Sequence, residues 1–198
     1  MEDFLEKLTE GIKGEYTLIR GGSSCLPWIS GPHDIDYIFF FREVNDALTA
    51  NANYRKYRKD KEDKTCVIIH IDAINTPRYP WWAYQLLFAK TLHGNKENLY
   101  QYRDMKEFLE NPTMEKKRHI ANDIHDSFFR IWCYTRQFDG NPKILYHVYI
   151  WKCLLEKGNL NLTEEEGRMV NDLHDRKFSK EELDRMKEGF EEFFKQYL

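Results

Sequence analysis

The segment from Arg20 to Phe41 places Gly21-Gly22-Ser23 eleven to fifteen residues ahead of two aspartates, Asp34 and Asp36, which open a run of apolar and aromatic residues. Tyr16–Arg20 reads as a strand, the glycines as a turn, the serines as the start of a short helix, and Asp34–Arg42 as a second strand. Side chains alternate along a strand, so Asp34 and Asp36 share one face while Ile35 and Tyr37 take the other. Two carboxylates held so near each other repel unless cations sit between them. Mg²⁺ suits that place because it takes hard oxygen ligands and is commonly shared between carboxylates and phosphates. Gly22 lets an anion approach the backbone, and Ser23 or Ser24 is expected to cap the helix that follows.

This arrangement resembles the signature of the DNA polymerase β-like nucleotidyltransferase superfamily: a strand ending in Gly-Ser, about ten residues, then Asp-hydrophobic-Asp-hydrophobic, here Asp34-Ile35-Asp36-Tyr37. The resemblance implies an α+β chain, with an N-terminal mixed sheet flanked by helices and a C-terminal helical bundle. It implies transfer of a nucleoside monophosphate from an NTP, ATP being the first choice, to a hydroxyl with release of pyrophosphate. The acceptor stays open between an RNA end, a protein side chain and a small molecule. Two Mg²⁺ ions, or Mn²⁺ in their place, would sit on Asp34 and Asp36, with Gly22, Ser23 and Ser24 around the phosphates. The family adds a third carboxylate on a neighbouring strand, as metal ligand and base. Asp72 is the one acid in the apolar run Thr65–Ile74 and takes that role here; the alternative is that the strand ends near Ile71 and Asp72 caps a turn. His70 would share its face. Two positions depart from the family pattern: His33 where a small residue is usual, and Pro27-Trp28 in the helix after the serine.

The chain is expected to divide into a catalytic domain, 1–112, and a helical domain, 113–198, that closes the nucleotide cleft. In the first half, helices are expected over about Asp3–Ile12, Trp82–Leu92 and Glu97–Leu109, with a polar middle between the second and third strands. Asn111-Pro112-Thr113 opens a long helix to about Gln137. Asn141-Pro142 starts the next, which Gly158 ends. Thr163-Glu-Glu-Glu166 and Ser179-Lys-Glu-Glu182 are capping boxes for the last two. Lys143 and His147 lie one helical turn apart, and the resemblance makes them a clamp on the triphosphate. The alternative is a solvated lysine beside a core-edge histidine. Tyr146 and Trp151 read as packing groups. Tyr54–Lys64 interleaves tyrosines with basic residues and is the best local candidate for a nucleic-acid acceptor, against the blander reading of a solvated, mixed-charge face.

A net charge of −3 over 198 residues gives no global attraction to nucleic acid. The four cysteines lack metal-ligand spacing and read as reduced thiols. No apolar run approaches membrane-spanning length and the N-terminus lacks a signal-peptide pattern, so a cytoplasmic enzyme with no membrane partner is expected. Three rival readings are carried forward. His125-Asp126 and His174-Asp175, with His119 nearby, would suit an HD-type metal phosphohydrolase. Arg168 and His174 offer a weaker ribonuclease-like pair. A nucleotidyltransferase fold without activity would serve as a binding or antitoxin module.

Overall fold

The chain is α+β, and its computed structural model describes residues 2–30, 35–58, 65–71, 80–133 and 145–198. Strands β1 (Tyr16–Gly21), β2 (Ile35–Phe41), β3 (Thr65–Ile71) and β4 (Lys90–His93) form one sheet in the order β3-β2-β1-β4. β1 pairs antiparallel with β2, Gly21 facing Asp36, and antiparallel with β4 on its other edge. β2 and β3 run parallel, with Asp36 opposite Cys66 and Phe41 opposite Ile71. A parallel pair needs a crossover, and helix α2 (Val44–Tyr57) supplies it.

Contacts cluster the residues into two units. The first comprises Met1–Leu26, Gly31–Pro77 and Gln85–Arg103. Its sheet face carrying Leu18, Tyr37, Phe39 and Phe41 packs on Leu8 of α1 (Glu2–Leu8) and on Ala47 and Ala50 of α2. The opposite face carries Ile19, Ile38 and Phe40, all buried. β2 is therefore apolar on both sides, as an interior strand should be. Asn53 Nδ2 donates to the carbonyls of Leu8 and Glu10, and Asp46 accepts from the Gly14 amide, fixing the approach to β1.

The second unit comprises Pro27–Ser30, Arg78–Tyr84 and Asp104–Leu198. Helix α5 (Met114–Ile124) starts at Thr113, whose hydroxyl accepts from the Lys116 amide, and runs into nine residues of π-helix, His125–Cys133. α6 (Leu145–Lys157) is buried around most of its circumference and forms the centre of the unit. Around it lie α7 (Glu164–His174) and α8 (Lys180–Lys195), each opened by a complete capping box, Thr163 with Glu166 and Ser179 with Glu182. Both match the sequence expectation, as does the end of α6 just before Gly158.

Several element expectations need correction. The helix over Trp82–Leu92 is instead a turn, a single helical turn α3 (Gln85–Phe88) and then β4. The open edge of β1 recruits Lys90–His93, since ladder bonds satisfy backbone groups on both segments. The polar middle contains α2, whose buried stripe Ala47, Ala50 and half-buried Tyr54 is too slight to mark an amphipathic helix. α1 stops at Leu8, short of Ile12, and α4 (Tyr100–Glu110) begins only after a 3-10 turn at Lys96–Asn98 that Asn95 caps. The single long helix from Thr113 changes to π geometry at His125, and residues 134–144, with the Asn141-Pro142 start, lie outside the described residues.

Candidate functional site

The ends of β1 and β2 build the site. Gly21 pairs with Asp36, and the chain then leaves β1 through Gly22, whose φ of 76° and ψ of −172° lie in a region open essentially to glycine alone. A Cβ placed on Gly22 would lie 2.1 Å from Asp36 Oδ2, 2.7 Å from its Cγ and 3.0 Å from its Cβ. The Asp36 side chain thus fills the space a side chain at position 22 would need. Its half-buried carboxylate lies against bare backbone.

The serines follow at once, though not as expected. Ser23–Cys25 is only a 3-10 turn, closed by the Cys25 amide on the Gly22 carbonyl at 3.2 Å and the Leu26 amide on the Ser23 carbonyl at 3.1 Å. Neither serine caps it: Gly22 holds the cap position with no side-chain hydrogen bond, and Ser24 Oγ donates back to the Gly21 carbonyl at 3.1 Å. Ser23 is buried at 8 % exposure. The turn offers backbone and Ser23, without the dipole of a full helix.

Of the other anticipated ligands, Asp34 and Asp72 lie outside the described residues, as does Lys143. The sheet register nevertheless constrains β3. Cys66 is level with Asp36, whereas Ile71 is level with Phe41, five residues further along, roughly 16 Å at the usual strand rise. The residue that β3 sets beside Asp36 is therefore not an acid. Among the described residues no three His, Cys, Asp or Glu side chains converge as a metal site.

His147 is in the second unit and buried at 4 % exposure. Its Nδ1 is hydrogen-bonded to Tyr84 Oη at 2.8 Å, its ring stacks on Tyr146 at 3.9 Å, and the Trp81 ring meets it edge-on at 4.4 Å. Its surroundings are those of a packed core histidine. Tyr146 and Trp151 are buried too, and Trp151 Nε1 donates to the Trp81 carbonyl at 2.7 Å. In the aromatic-basic segment, Tyr57 Oη donates to Glu10 at 3.0 Å and Tyr54 meets Phe4 edge-on, so both tyrosines are engaged with the N-terminal helix region. Residues 59–64 lie outside the described residues.

The histidine–aspartate pairs are dispersed. His119 Nε2 is 3.9 Å from Asp123, His125 stands 3.9 Å from both Asp126 and Glu191, and His174 Nδ1 is 3.1 Å from Asp175. The His174 contact draws the Asp175 carboxyl below its ordinary value. Arg168 pairs with Glu164 at 3.2 Å on the exposed side of α7. Only His174 is hydrogen-bonded to the acid beside it; the 3.9 Å separations of His119 and His125 from their acids are longer than a hydrogen bond, and the buried His125 Nε2 has no hydrogen-bond partner among the described residues.

No protein family model, curated protein or solved structure matches the chain. No helix among the described residues is long and apolar enough to cross a membrane.

Proposed function

We propose that the chain is a metal-dependent nucleotidyltransferase that moves a nucleoside monophosphate from an NTP, ATP first, to a hydroxyl acceptor. The observation that carries this reading is the apposition of Gly22 and Asp36, bare backbone and a carboxylate meeting at the paired ends of two strands. The donor chemistry fits Mg²⁺ or Mn²⁺, because a half-buried carboxylate supplies the hard oxygen donors that such an ion takes and shares with phosphates. Asp36, with Asp34 two residues before it, would hold the metal, which when bound offsets phosphate charge. Gly22 lets the backbone of the turn lie directly against the carboxylate, and backbone amides of the turn together with Ser23 would hold the β- and γ-phosphates. The acceptor oxygen forms a bond to the α-phosphorus while the bond from that phosphorus to the β-phosphate bridge breaks. Pyrophosphate leaves with the bonding pair, and the hydroxyl proton passes to solvent.

Purified protein is tested with one α-labelled NTP at a time and Mg²⁺ or Mn²⁺, against RNA, protein extract and small alcohols. Label transfer is expected in one arm, falling by about 100-fold or more in Asp36→Asn, since a lost metal ligand removes several kcal/mol of charge stabilisation. An Asp36→Asn protein that keeps near-wild-type transfer at saturating metal would sink the assignment.

One observation favours a second reading. β3 sets Cys66, rather than an acid, level with Asp36, and a nucleotide-binding module without turnover would need no acid there. Metal-dependent NTP binding with no transfer to any acceptor would select it.

A further inference from the structure

Arg20 carries the last side chain of β1 before Gly21, and the sheet register sets it level with Tyr37 on β2 and with Lys90 on β4. Residues directly opposite on antiparallel strands share a face, their Cβ atoms about 5 Å apart. Arg20 and Lys90 are therefore two cations side by side, an arrangement that repels. Neither side chain is paired with a carboxylate among the described residues, and Arg20 Nε is buried without a hydrogen-bond partner there. In the same unit Lys7 pairs with Asp3 at 2.6 Å, Arg42 stands 3.9 Å from Glu15, and Lys96 donates to the carbonyls of Leu86 and Ala89 at 3.1 and 2.8 Å. The nearest acid of the described sheet does not serve Arg20. Asp36 faces Gly21, one register position on, so its side chain leaves the opposite face, and β1 and β4 contain no acid. A buried charged donor left unpaired costs stability, as do like charges set opposite each other, and a bound anion offsets both.

We propose that Arg20 and Lys90 form a phosphate-binding site on the sheet face turned away from Asp36, separate from the metal site and independent of the nucleotidyltransferase reading. The guanidinium presents a planar fork of donors that matches two phosphate oxygens, and the Lys90 ammonium adds a point charge beside it. Both stand on paired strands. β1 lies between β2 and β4, and the Arg20 carbonyl also accepts from Cys25 Sγ at 3.4 Å, so the backbone that carries the guanidinium is fixed before any ligand arrives. Lys90 is exposed at one end of the strand order, which gives a ligand access from solvent. The ligand is a phosphate group, either free in a polyphosphate or carried in the backbone of a nucleic-acid strand.

Tripolyphosphate and a short single-stranded RNA are each titrated calorimetrically into the protein in EDTA, which keeps metal off Asp36. Arg20→Gln and Lys90→Gln should each weaken binding by about 10-fold or more, through loss of one charge-assisted contact. Lys13→Gln, which removes the same charge from an exposed position of the same unit, should change it by less than about twofold at physiological ionic strength. The Arg20 Nε–H resonance should shift as the ligand is added. Lys90 is an exposed side chain at the sheet edge, so its variant keeps the test decisive should Arg20→Gln not fold. Tripolyphosphate binding with these losses marks a free polyphosphate as ligand, and RNA binding with the same losses marks a strand backbone. Wild-type affinity in Lys90→Gln, an equal loss in Lys13→Gln, or a wild-type protein that binds neither probe overturns the site.

Discussion

Gly22→Ala measures how tightly the turn and the carboxylate are built against each other. The substitution carries two costs. Alanine at φ 76°, ψ −172° occupies a region that L residues avoid, worth about 1–3 kcal/mol. The new methyl also meets Asp36 Oδ2 at 2.1 Å, Cγ at 2.7 Å and Cβ at 3.0 Å. The carboxylate can swing away, but the Asp36 Cβ is fixed by pairing with Gly21, so an overpacking cost of roughly 1–3 kcal/mol remains. Together the loss should be about 2–6 kcal/mol. Asp36→Ala removes the two nearest of these contacts and none of the backbone strain, so Gly22→Ala should cost at least about 1 kcal/mol less in that background. Tryptophan fluorescence is the wrong probe, because all five tryptophans fall in segments of the helical unit. Hydrogen exchange of the β1–β2 ladder amides reads the sheet unit directly. A Gly22→Ala penalty below about 1 kcal/mol, or one equal in both backgrounds, would refute the close apposition on which the functional reading stands.

The capping boxes and the buried thiol give further tests. Thr163→Ala should destabilise the helical unit by about 1 kcal/mol in urea unfolding followed by tryptophan fluorescence, through loss of the hydroxyl that accepts from the Glu166 amide. Burial alone would raise the Glu166 carboxyl, but hydrogen bonds from Lys157 and Thr163 hold it below its ordinary 4.5. Its contribution is thus present above that value and lost as pH falls through the lowered one, so the wild-type advantage over Glu166→Gln should shrink below about pH 4.5; an advantage that grows on acidification would contradict this. Burial, and then the charge of Glu166, push the Cys153 thiol up to about 11 from an ordinary 9.0. In the native protein at pH 8 an alkylating reagent should label half-buried Cys25 well before Cys153, which should react only on unfolding. Equal native labelling rates, read by peptide mass spectrometry, would show the thiol is not enclosed.

What could be read from the residues alone was local. Thr163 with Glu166 and Ser179 with Glu182 bond within a single helical turn, so four consecutive residues suffice to specify those starts. β1, β2 and most of β3 were legible from β-branched and aromatic runs, and Gly22 and Asp36 meet because the antiparallel register pairs the end of β1 with the start of β2. Tertiary structure decided the rest. β4 is four mostly exposed residues whose only reason to be extended is the open edge of β1, and nothing in Lys90–His93 announces that edge. α2 packs through alanines and a tyrosine, apolar area too small to stand out against its polar neighbours. Whether β3 runs parallel to β2, and in which register, depends on pairing between segments some thirty residues apart; that pairing sets Cys66 beside Asp36 and carries Ile71 to the other end. His147 could be a surface ligand or a core residue on the same helical spacing, and only the arrival of Trp81 and Tyr84 from a distant segment encloses it. Hydrogen bonds within a turn are specified by neighbours in sequence, whereas pairing, register and burial are specified by partners that the chain brings together only when it folds.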